Sequence, residues 1–164
     1  MTADLEKLAE AVGHRLLKRQ ALLATAESCT GGWIAQVVTS VPGSSAWFDR
    51  GFVTYSNRAK QEMLGVSPAA LGVHGAVSGP VVAEMVMGAL LYSQARYALA
   101  VSGIAGPGGG SEDKPVGTVY LAWARRDLAP QIQCRRFAGN REEIRRQTVL
   151  LALEQLIEML DADG

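Results

Sequence analysis

The chain has 164 residues, enough to bury a substantial single core, and its 48% apolar and 20% charged residues are typical of a folded globular protein. Because Lys plus Arg equals Asp plus Glu at 16 each, the net charge favours neither nucleic acid nor an anionic membrane as a partner. With two distant cysteines, Cys29 and Cys134, no membrane-length apolar run and no signal peptide, we expect a reduced, cytoplasmic protein.

Hydrophobic periodicity predicts alternating helices and strands in the first half of the chain. Leu5, Leu8 and Val12 recur at helical spacing, whereas the residues after Phe48 are aromatic and β-branched, as in a strand. Ser56 or Asn57 can cap the short helix that follows this strand. The predicted elements are helices over 4–19, 31–40 and 57–64 and strands over 21–26 and 48–55.

The alternation continues after a stretch punctuated by Gly and Pro, beginning with a helix rich in Met and Val. The elements predicted in this half are helices over 80–95 and 141–160 and strands over 97–101, 116–124 and 131–137. Helices and strands that intermingle along the whole length predict one α/β domain over 1–164. We expect a three-layer α/β/α sandwich with a mixed, mostly parallel sheet.

The turn Glu27–Gly32 follows the first predicted strand and opens a helix. Free N–H groups and the positive end of the helix dipole meet at such a turn, where they can bind an anion or stabilise an oxyanion. Ser28 is placed where a nucleophile would gain from these donors. The alternative is that Ser28 or Thr30 only caps the helix, and spacing alone leaves the two interpretations balanced.

The loop Ser102–Gly110 follows another buried strand and contains five glycines in nine residues. It matches neither a Walker A sequence nor a dinucleotide fingerprint in its proper context. Its backbone amides can cradle a phosphate, or the glycines can simply form an irregular turn. The density of glycine favours close approach of a ligand to the backbone.

A serine nucleophile needs a base, and neither histidine of the chain is well placed to supply one. His14 lies on the first predicted helix and His74 in a loop, and both are interpreted as surface or packing residues. Lys60, shortly after a strand, can act as a base if burial depresses its pKa, although a solvated surface lysine is the more common case. Arg141, Arg145 and Arg146 can bind an anionic group or form a solvated helix face.

Five stretches of the sequence together resemble the CinA C-terminal domain family. They are Thr25–Gly32, Gly51–Asn57 with Lys60, Gly75–Ser78, Ser102–Pro107 and Lys114–Val119. The resemblance covers about residues 5–160 and is to the stand-alone form of the domain. Ser102 stands where many members have threonine, but the hydroxyl is kept.

The resemblance implies a Ser/Lys amidohydrolase in pyridine nucleotide recycling, without metal or organic cofactor. Such an enzyme converts nicotinamide mononucleotide and water to nicotinic acid mononucleotide and ammonia. Ser28 is then the nucleophile, Lys60 its base, and Tyr55 a partner that orients Lys60 or shuttles a proton. Backbone amides after Ser28 and at Gly43 and Ser44 are the implied oxyanion donors.

The same resemblance assigns the remaining substrate contacts to both loops and to the last helix. Arg145 and the loop after Ser102 are the expected ligands of the ribose and 5′-phosphate, although Arg141 and Arg146 stay open as alternatives. The implied substrate-binding set is Glu27, Cys29, Thr30, Gly31, Gly43, Ser44, Ser102, Gly103, Ala105, Gly106 and Arg145.

Two other functions remain open from the sequence. The first is a nucleotide-binding regulatory module linked to DNA-uptake competence, which would bind without turnover. The second is a phosphohydrolase built on the glycine-rich loops, which the lack of a carboxylate cluster disfavours. The apolar helix Val81–Leu91 suits core burial or a subunit contact, and we expect a homo-oligomer.

Overall fold

The computed structural model describes residues 2–163, with side chains from Asp4 to Asp163. Within this range the chain forms six α-helices, one short 3₁₀ turn and five β-strands. In chain order these are α1 Thr2–Lys18, β1 Leu23–Glu27, α2 Trp33–Thr39, the 3₁₀ turn Ser44–Ala46, β2 Phe48–Val53, α3 Asn57–Leu64, α4 Pro68–His74, α5 Gly79–Leu91, β3 Tyr97–Gly103, β4 Thr118–Arg125, β5 Gln131–Arg136 and α6 Arg141–Ala162.

The strands form one sheet in the order β2-β1-β3-β4-β5. Strand β1 is parallel to β2 and β3 on either side, whereas β4 runs antiparallel to both β3 and β5. Four of these five strands therefore point the same way, which confirms the predicted mixed sheet of an α/β fold. Glu27 pairs with Val53 and Val101, so the carboxyl ends of the three parallel strands meet at one edge.

The two faces of the sheet carry side chains of very different size. The face under α1, α2 and α6 is lined by large residues, among them Leu23, Leu99 and Trp123. The face under α5 is lined almost entirely by alanine. Its members are Ala24, Ala26, Ala98, Ala100, Ala122 and Ala124. Short side chains on this face let α5 pack close to the sheet, because little side-chain volume separates the two backbones.

Helices α3 and α5 approach most closely at Gly88. A Cβ atom at this position would lie 2.0 Å from the carbonyl oxygen of Leu64, so no other residue fits without moving a backbone. Leu64 is the last residue of α3, the helix that carries Lys60. Gly88 therefore sets how near to α5 the Lys60 helix lies.

Most of the predicted elements are confirmed, with boundaries that shift by a few residues. Helix α5 ends at Leu91, short of the predicted residue 95, and Ser56 caps α3 by accepting a hydrogen bond from a backbone amide. Helix α4 was not predicted, because its seven residues include a glycine and follow a loop-like composition. The signal for it was the cap Ser67 followed by Pro68 in the first helical turn.

None of the helices within residues 2–163 is long and apolar enough to cross a membrane. In α5 most apolar side chains, such as Val82 and Met85, are buried in the core, which favours core burial for this helix. Met87 and Leu91, on its outer face, are exposed.

Candidate active site

A cavity of about 310 Å³ opens at the carboxyl edge of the parallel strands. This is the edge at which open α/β sheets bind ligands, and the volume lies in the range of small-molecule sites. The walls combine polar side chains with exposed backbone. They are formed by Ser28, Cys29, Tyr55, Asn57, Lys60, Ala76, Val77, Ser102, Gly103, Ile104, Ala105, Gly106, Gly108, Gly109 and Arg141.

The turn after β1 is held from within by the buried carboxylate of Glu27. That carboxylate accepts hydrogen bonds from the Thr30 hydroxyl at 2.6 Å and from the backbone amides of Ile34 and Ala35 at 2.8 and 3.0 Å. It thereby satisfies free amides in the first turn of α2 and places a negative charge at the positive end of that helix. The side chains of Glu27 and Thr30 are therefore engaged in shaping the turn and do not face the cavity.

Ser28 and Lys60 meet at the floor of the cavity. The Lys60 Nζ lies 2.9 Å from the Ser28 Oγ, within hydrogen-bond distance. Both side chains are buried, Lys60 with only 1% of its surface exposed. The structure thus brings together the two residues on which the predicted chemistry depends, although 32 positions separate them in sequence.

The surroundings of Lys60 suit a neutral amine. Among the described residues its hydrogen-bonding neighbours are the Ser28 Oγ, the Thr54 carbonyl at 3.0 Å and the Tyr55 carbonyl at 3.4 Å. A neutral amine can donate to the two carbonyls and still accept the hydroxyl hydrogen of Ser28. No carboxylate contacts Lys60 within the described part of the chain, and burial lowers the pKa of its ammonium group.

Cys29, next to Ser28, does not offer a second nucleophile. Burial, reinforced by the negative charge of Glu27, raises the pKa of the Cys29 thiol to about 12. The thiol therefore stays protonated near neutral pH, and it is the thiolate that reacts. The backbone of Cys29, rather than its sulfur, is the part with a chemical use in the cavity wall.

Two backbone amides of this turn are free. The Ser28 N–H donates to the Val101 carbonyl at 3.1 Å, and the Gly31 N–H donates back to the Ser28 carbonyl at 3.1 Å. The N–H groups of Cys29 and Thr30 donate to no other residue between positions 2 and 163. Buried amides without partners are rare in proteins, and at a nucleophile they are the usual donors to an oxyanion.

The loop after β3 forms the opposite wall mainly with backbone. Gly103, Ala105 and Gly106, which the resemblance assigns to substrate binding, all line the cavity. The hydroxyl of Ser102 donates to the Ala76 carbonyl at 2.9 Å, which ties this loop to the segment before α5. Lys114 strengthens the same junction through hydrogen bonds from its Nζ to the carbonyls of His74 and Val77.

Of the three candidate arginines, Arg141 is the one that lines the cavity. Its guanidinium donates to the Gly106 carbonyl at 2.7 Å and to the Tyr55 hydroxyl at 3.1 Å. Arg145 lies one helical turn further along α6. It donates to the carbonyls of Cys29 and Thr30 and so contacts the turn outside the cavity. Arg146 forms an ion pair with Asp4 at 3.5 Å, on another side of the helix.

Three of the residues predicted for the site lie differently from expectation. The prediction of Gly43 and Ser44 as oxyanion donors is wrong. They precede the amino end of β2, and parallel pairing places that end roughly 15 Å from the carboxyl end of β1. Gly43 instead lines a separate cavity with His14 and Trp47. Arg145, expected to hold the phosphate, does not line the cavity, and two of its three side-chain nitrogens donate to backbone carbonyls of the turn.

Tyr55 and Gly31 are close to the site in roles other than those expected. The Tyr55 hydroxyl accepts a hydrogen bond from Arg141, and only the Tyr55 carbonyl approaches the Lys60 amine. Of the two roles expected for Tyr55, orientation of Lys60 has a contact among the described residues, and that contact comes from the backbone carbonyl. Gly31 does not line the cavity. Its amide donates to the Ser28 carbonyl, and its φ of 59° lies in the left-handed region that favours glycine.

Sequence reasoning missed several lining residues. Asn57, Ile104, Gly108 and Gly109 were not singled out, although all lie within or beside the motifs that were. The useful signal was position, because each sits within a few residues of a strand end at the carboxyl edge. Among the described residues, no group of three His, Cys, Asp or Glu side chains is arranged to hold a metal ion.

Comparisons with known proteins agree on one family. The family model described as the CinA C-terminal domain matches residues 5–160. The nicotinamide-nucleotide amidohydrolase PncC of Escherichia coli (strain K12) is 54% identical over 156 residues, which cover 94% of this chain and 93% of that protein. The protein of the same name from Pseudomonas putida is 53% identical, covering 93% of this chain and 94% of its own.

A solved structure shares the fold over nearly its whole length. The competence/damage inducible protein CihA from Agrobacterium tumefaciens superposes with a TM-score of 0.93 at 48% identity. The match covers 96% of each chain.

Proposed function

The chain belongs to the CinA C-terminal domain family, and we propose that it is a nicotinamide-nucleotide amidohydrolase. It converts nicotinamide mononucleotide and water to nicotinic acid mononucleotide and ammonia. The observation that carries this proposal is the buried 2.9 Å contact between the Lys60 Nζ and the Ser28 Oγ at the floor of the cavity. Relatives named for this activity cover nearly all of the chain, which supports the choice of substrate.

In the first half of the reaction, the neutral Lys60 amine accepts the hydroxyl proton of Ser28 as the Oγ attacks the carboxamide carbon. A new C–O bond forms, and the carbonyl oxygen takes the negative charge of a tetrahedral intermediate. Lys60, now an ammonium, returns its proton to the leaving nitrogen. Ammonia departs as the C–N bond breaks, and the pyridine carboxylate is left as an ester on Ser28.

The second half repeats these steps with water in place of Ser28. Lys60 accepts a proton from the water, whose oxygen attacks the ester carbon and forms a second tetrahedral intermediate. Collapse of this intermediate breaks the bond to the Ser28 Oγ, which regains a proton from Lys60. The free Cys29 amide supports both steps, because it can donate to the oxyanion in each intermediate.

The rest of the nucleotide binds along the wall formed by the loop after β3 and by α6. Arg141 is our choice for the 5′-phosphate, since its planar guanidinium lines the cavity and suits forked hydrogen bonding to phosphate oxygens. Backbone groups of Gly103, Ala105 and Gly106 contact the ribose or the pyridine ring. Tyr55 positions Arg141 through its hydroxyl.

Several further features of the proposal follow the sequence-based expectations. The chain acts as one domain in the cytoplasm, in pyridine nucleotide recycling, and without nucleic acid as a partner. It forms a homo-oligomer, and the exposed Met87 and Leu91 on α5 offer an apolar surface for it.

Ammonia release from nicotinamide mononucleotide by the purified protein, treated with chelator, tests the function directly. We expect turnover in the wild type and loss of nearly all of it in Ser28→Ala, which removes the nucleophile but little volume. Circular dichroism and thermal unfolding serve as controls that the variant stays folded. Calorimetric binding of the nucleotide without any ammonia release would contradict the proposal and favour a regulatory binding module.

A further inference from the structure

Behind the turn that carries Ser28, Arg145 makes contacts that the reaction described so far does not use. Its Nε donates to the Cys29 carbonyl at 3.0 Å, and its Nη2 donates to the Thr30 carbonyl at 3.1 Å. The guanidinium carbon lies 5.6 Å from the centre of the Trp33 ring, a distance typical of a cation–π contact. Arg145 is thus fixed on three sides by the turn and the start of α2.

Two peptide groups, linked to each other by a hydrogen bond, connect this arginine to the cavity. Arg145 donates to the Thr30 carbonyl, which shares its peptide group with the Gly31 amide. The Gly31 amide donates to the Ser28 carbonyl at 3.1 Å, which in turn shares its peptide group with the Cys29 amide. Cys29 lines the cavity, and its amide donates to no other residue between positions 2 and 163.

In such a chain each bond polarises the next. A donor at a carbonyl oxygen draws electron density from the same peptide's N–H and makes that N–H a stronger donor, by roughly 10–30% per bond. Here the first donor carries a full positive charge, which roughly doubles the strength of its hydrogen bond. The chain ends at the amide that faces the developing oxyanion.

We propose that Arg145 is a positioning residue for catalysis, which aligns and polarises the Cys29 amide through the Thr30–Gly31 and Ser28–Cys29 peptide groups. It does not touch the substrate. The inference rests on the proposed function, because it assigns Arg145 a part in stabilising the oxyanion of that reaction.

The position of Gly31 supports this assignment. The Gly31 amide donates to the Ser28 carbonyl, and the chain then turns at Gly31, whose φ of 59° lies in the left-handed region that glycine adopts without strain. A Cβ atom on Gly31 would lie 3.5 Å from the Arg145 Nη2. The peptide group that forms the middle link of the chain therefore lies close to the arginine.

Arg145→Met and Arg145→Lys test the proposal, with Arg146→Met as the matched control one residue away. We expect Arg145→Met to lower kcat by about tenfold to a hundredfold with KM within a factor of about three, because only the transition state uses the oxyanion donor. Arg145→Lys should fall between this variant and the wild type, since a lysine keeps the charge but not the fork. Arg146→Met should behave as the wild type.

A thioamide substrate separates this role from a general structural one. Sulfur is a weaker hydrogen-bond acceptor than oxygen, so the wild type should hydrolyse nicotinamide mononucleotide faster than its thiocarboxamide analogue. If Arg145 acts through the Cys29 amide, the ratio of the two kcat values falls in Arg145→Met. A fold defect that merely reduces the active fraction lowers both rates equally and leaves the ratio unchanged.

The outcomes distinguish this inference from the function on which it rests. A wild-type protein that releases no ammonia overturns the function itself. With an active wild type, an unchanged kcat, an unchanged ratio or a rise confined to KM in Arg145→Met overturns the role of Arg145 alone. The last of these results would make Arg145 a substrate ligand.

Discussion

The turn after β1 is buried and cross-linked, whereas the loop after β3, on the opposite wall of the same cavity, is largely exposed and rich in glycine. In the turn, one carboxylate holds three donors, and Thr30 has none of its surface exposed. In the loop, residues 107–113 are exposed. The long side chains that hold it lie near its ends, with Arg141 at Gly106, Arg136 at Asp113 and Lys114 at the segment before α5.

The difference corresponds to two tasks. Covalent chemistry needs the nucleophile, base and oxyanion donor held at fixed distances, and buried polar contacts supply that rigidity. A wall that meets the ribose and phosphate needs close approach more than rigidity, which exposed glycine backbone allows. Changes in the turn should therefore affect kcat or stability, and changes at the loop should affect KM.

Lys60→Met should show the largest loss of activity. A small loss would contradict the contrast between a rigid catalytic turn and an exposed binding loop. The variant keeps an unbranched side chain but removes the base, so kcat/KM should fall by about a thousandfold. In the wild type, kcat/KM should rise with pH with an apparent pKa below that of an ordinary lysine, since burial lowers the pKa of Lys60. Ammonia release across a pH series measures both.

Stability gives an independent check on the same residue. Because the pKa of Lys60 is lower in the folded state, the unfolded chain binds more protons between the folded and unfolded pKa values. The free energy of unfolding of the wild type relative to Lys60→Met should therefore increase as pH rises through that window. A difference that does not vary with pH would mean that Lys60 titrates normally.

Arg141→Met should raise KM by about tenfold to a hundredfold with little change in kcat, because a hydrogen bond to a charged group contributes about 1.5–3 kcal/mol. The loss should be smaller for nicotinamide riboside, which lacks the phosphate. Steady-state kinetics on both substrates measure this, with the exposed Arg58→Met as control. An equal loss on both substrates would remove Arg141 from phosphate binding.

Glu27→Gln should destabilise the protein by about 1–3 kcal/mol, because the amide nitrogen of Gln cannot accept the hydrogen bond from Ala35 or its neighbours. Urea unfolding measures the change. Glu62→Gln is the matched control, since Glu62 forms an exposed ion pair with Arg58 and should change stability by less than about 0.5 kcal/mol. Equal effects in both variants would mean that the buried carboxylate does not hold the turn.

Lys114→Met should have the smallest effect, a rise in KM of a few fold at unchanged kcat. It removes the contacts to the carbonyls of His74 and Val77 that join the loop to the segment before α5. Kinetics on nicotinamide mononucleotide measure it, with Lys18→Met as control. A fall in kcat without a rise in KM would show that the loop, like the turn, helps to hold the catalytic groups at fixed distances.

Much of the fold was accessible from the sequence, because periodicity and strand composition mark β1, β3 and α6 clearly. The site was predicted in two different ways. Ser28 and Lys60 were both singled out by their places after strands, but only the resemblance paired them, because the distance from α3 to β1 is a property of tertiary packing.

The errors have equally definite causes. Gly43 and Ser44 were misplaced because sequence proximity to a strand does not tell which end of the sheet the chain enters. Arg141 and Arg145 are four residues apart on one helix face, so periodicity cannot say which of them reaches the cavity. The three-dimensional position of the turn decides it.

Gly88 has no functional group, yet its small size affects catalysis because it packs against the helix that carries Lys60. A methyl at this position would push against Leu64 and tilt α3, and Lys60 lies one turn from the point of pressure. Variation there is thus constrained by volume alone. A search for inactivating substitutions that looks only at polar residues near the substrate would overlook it.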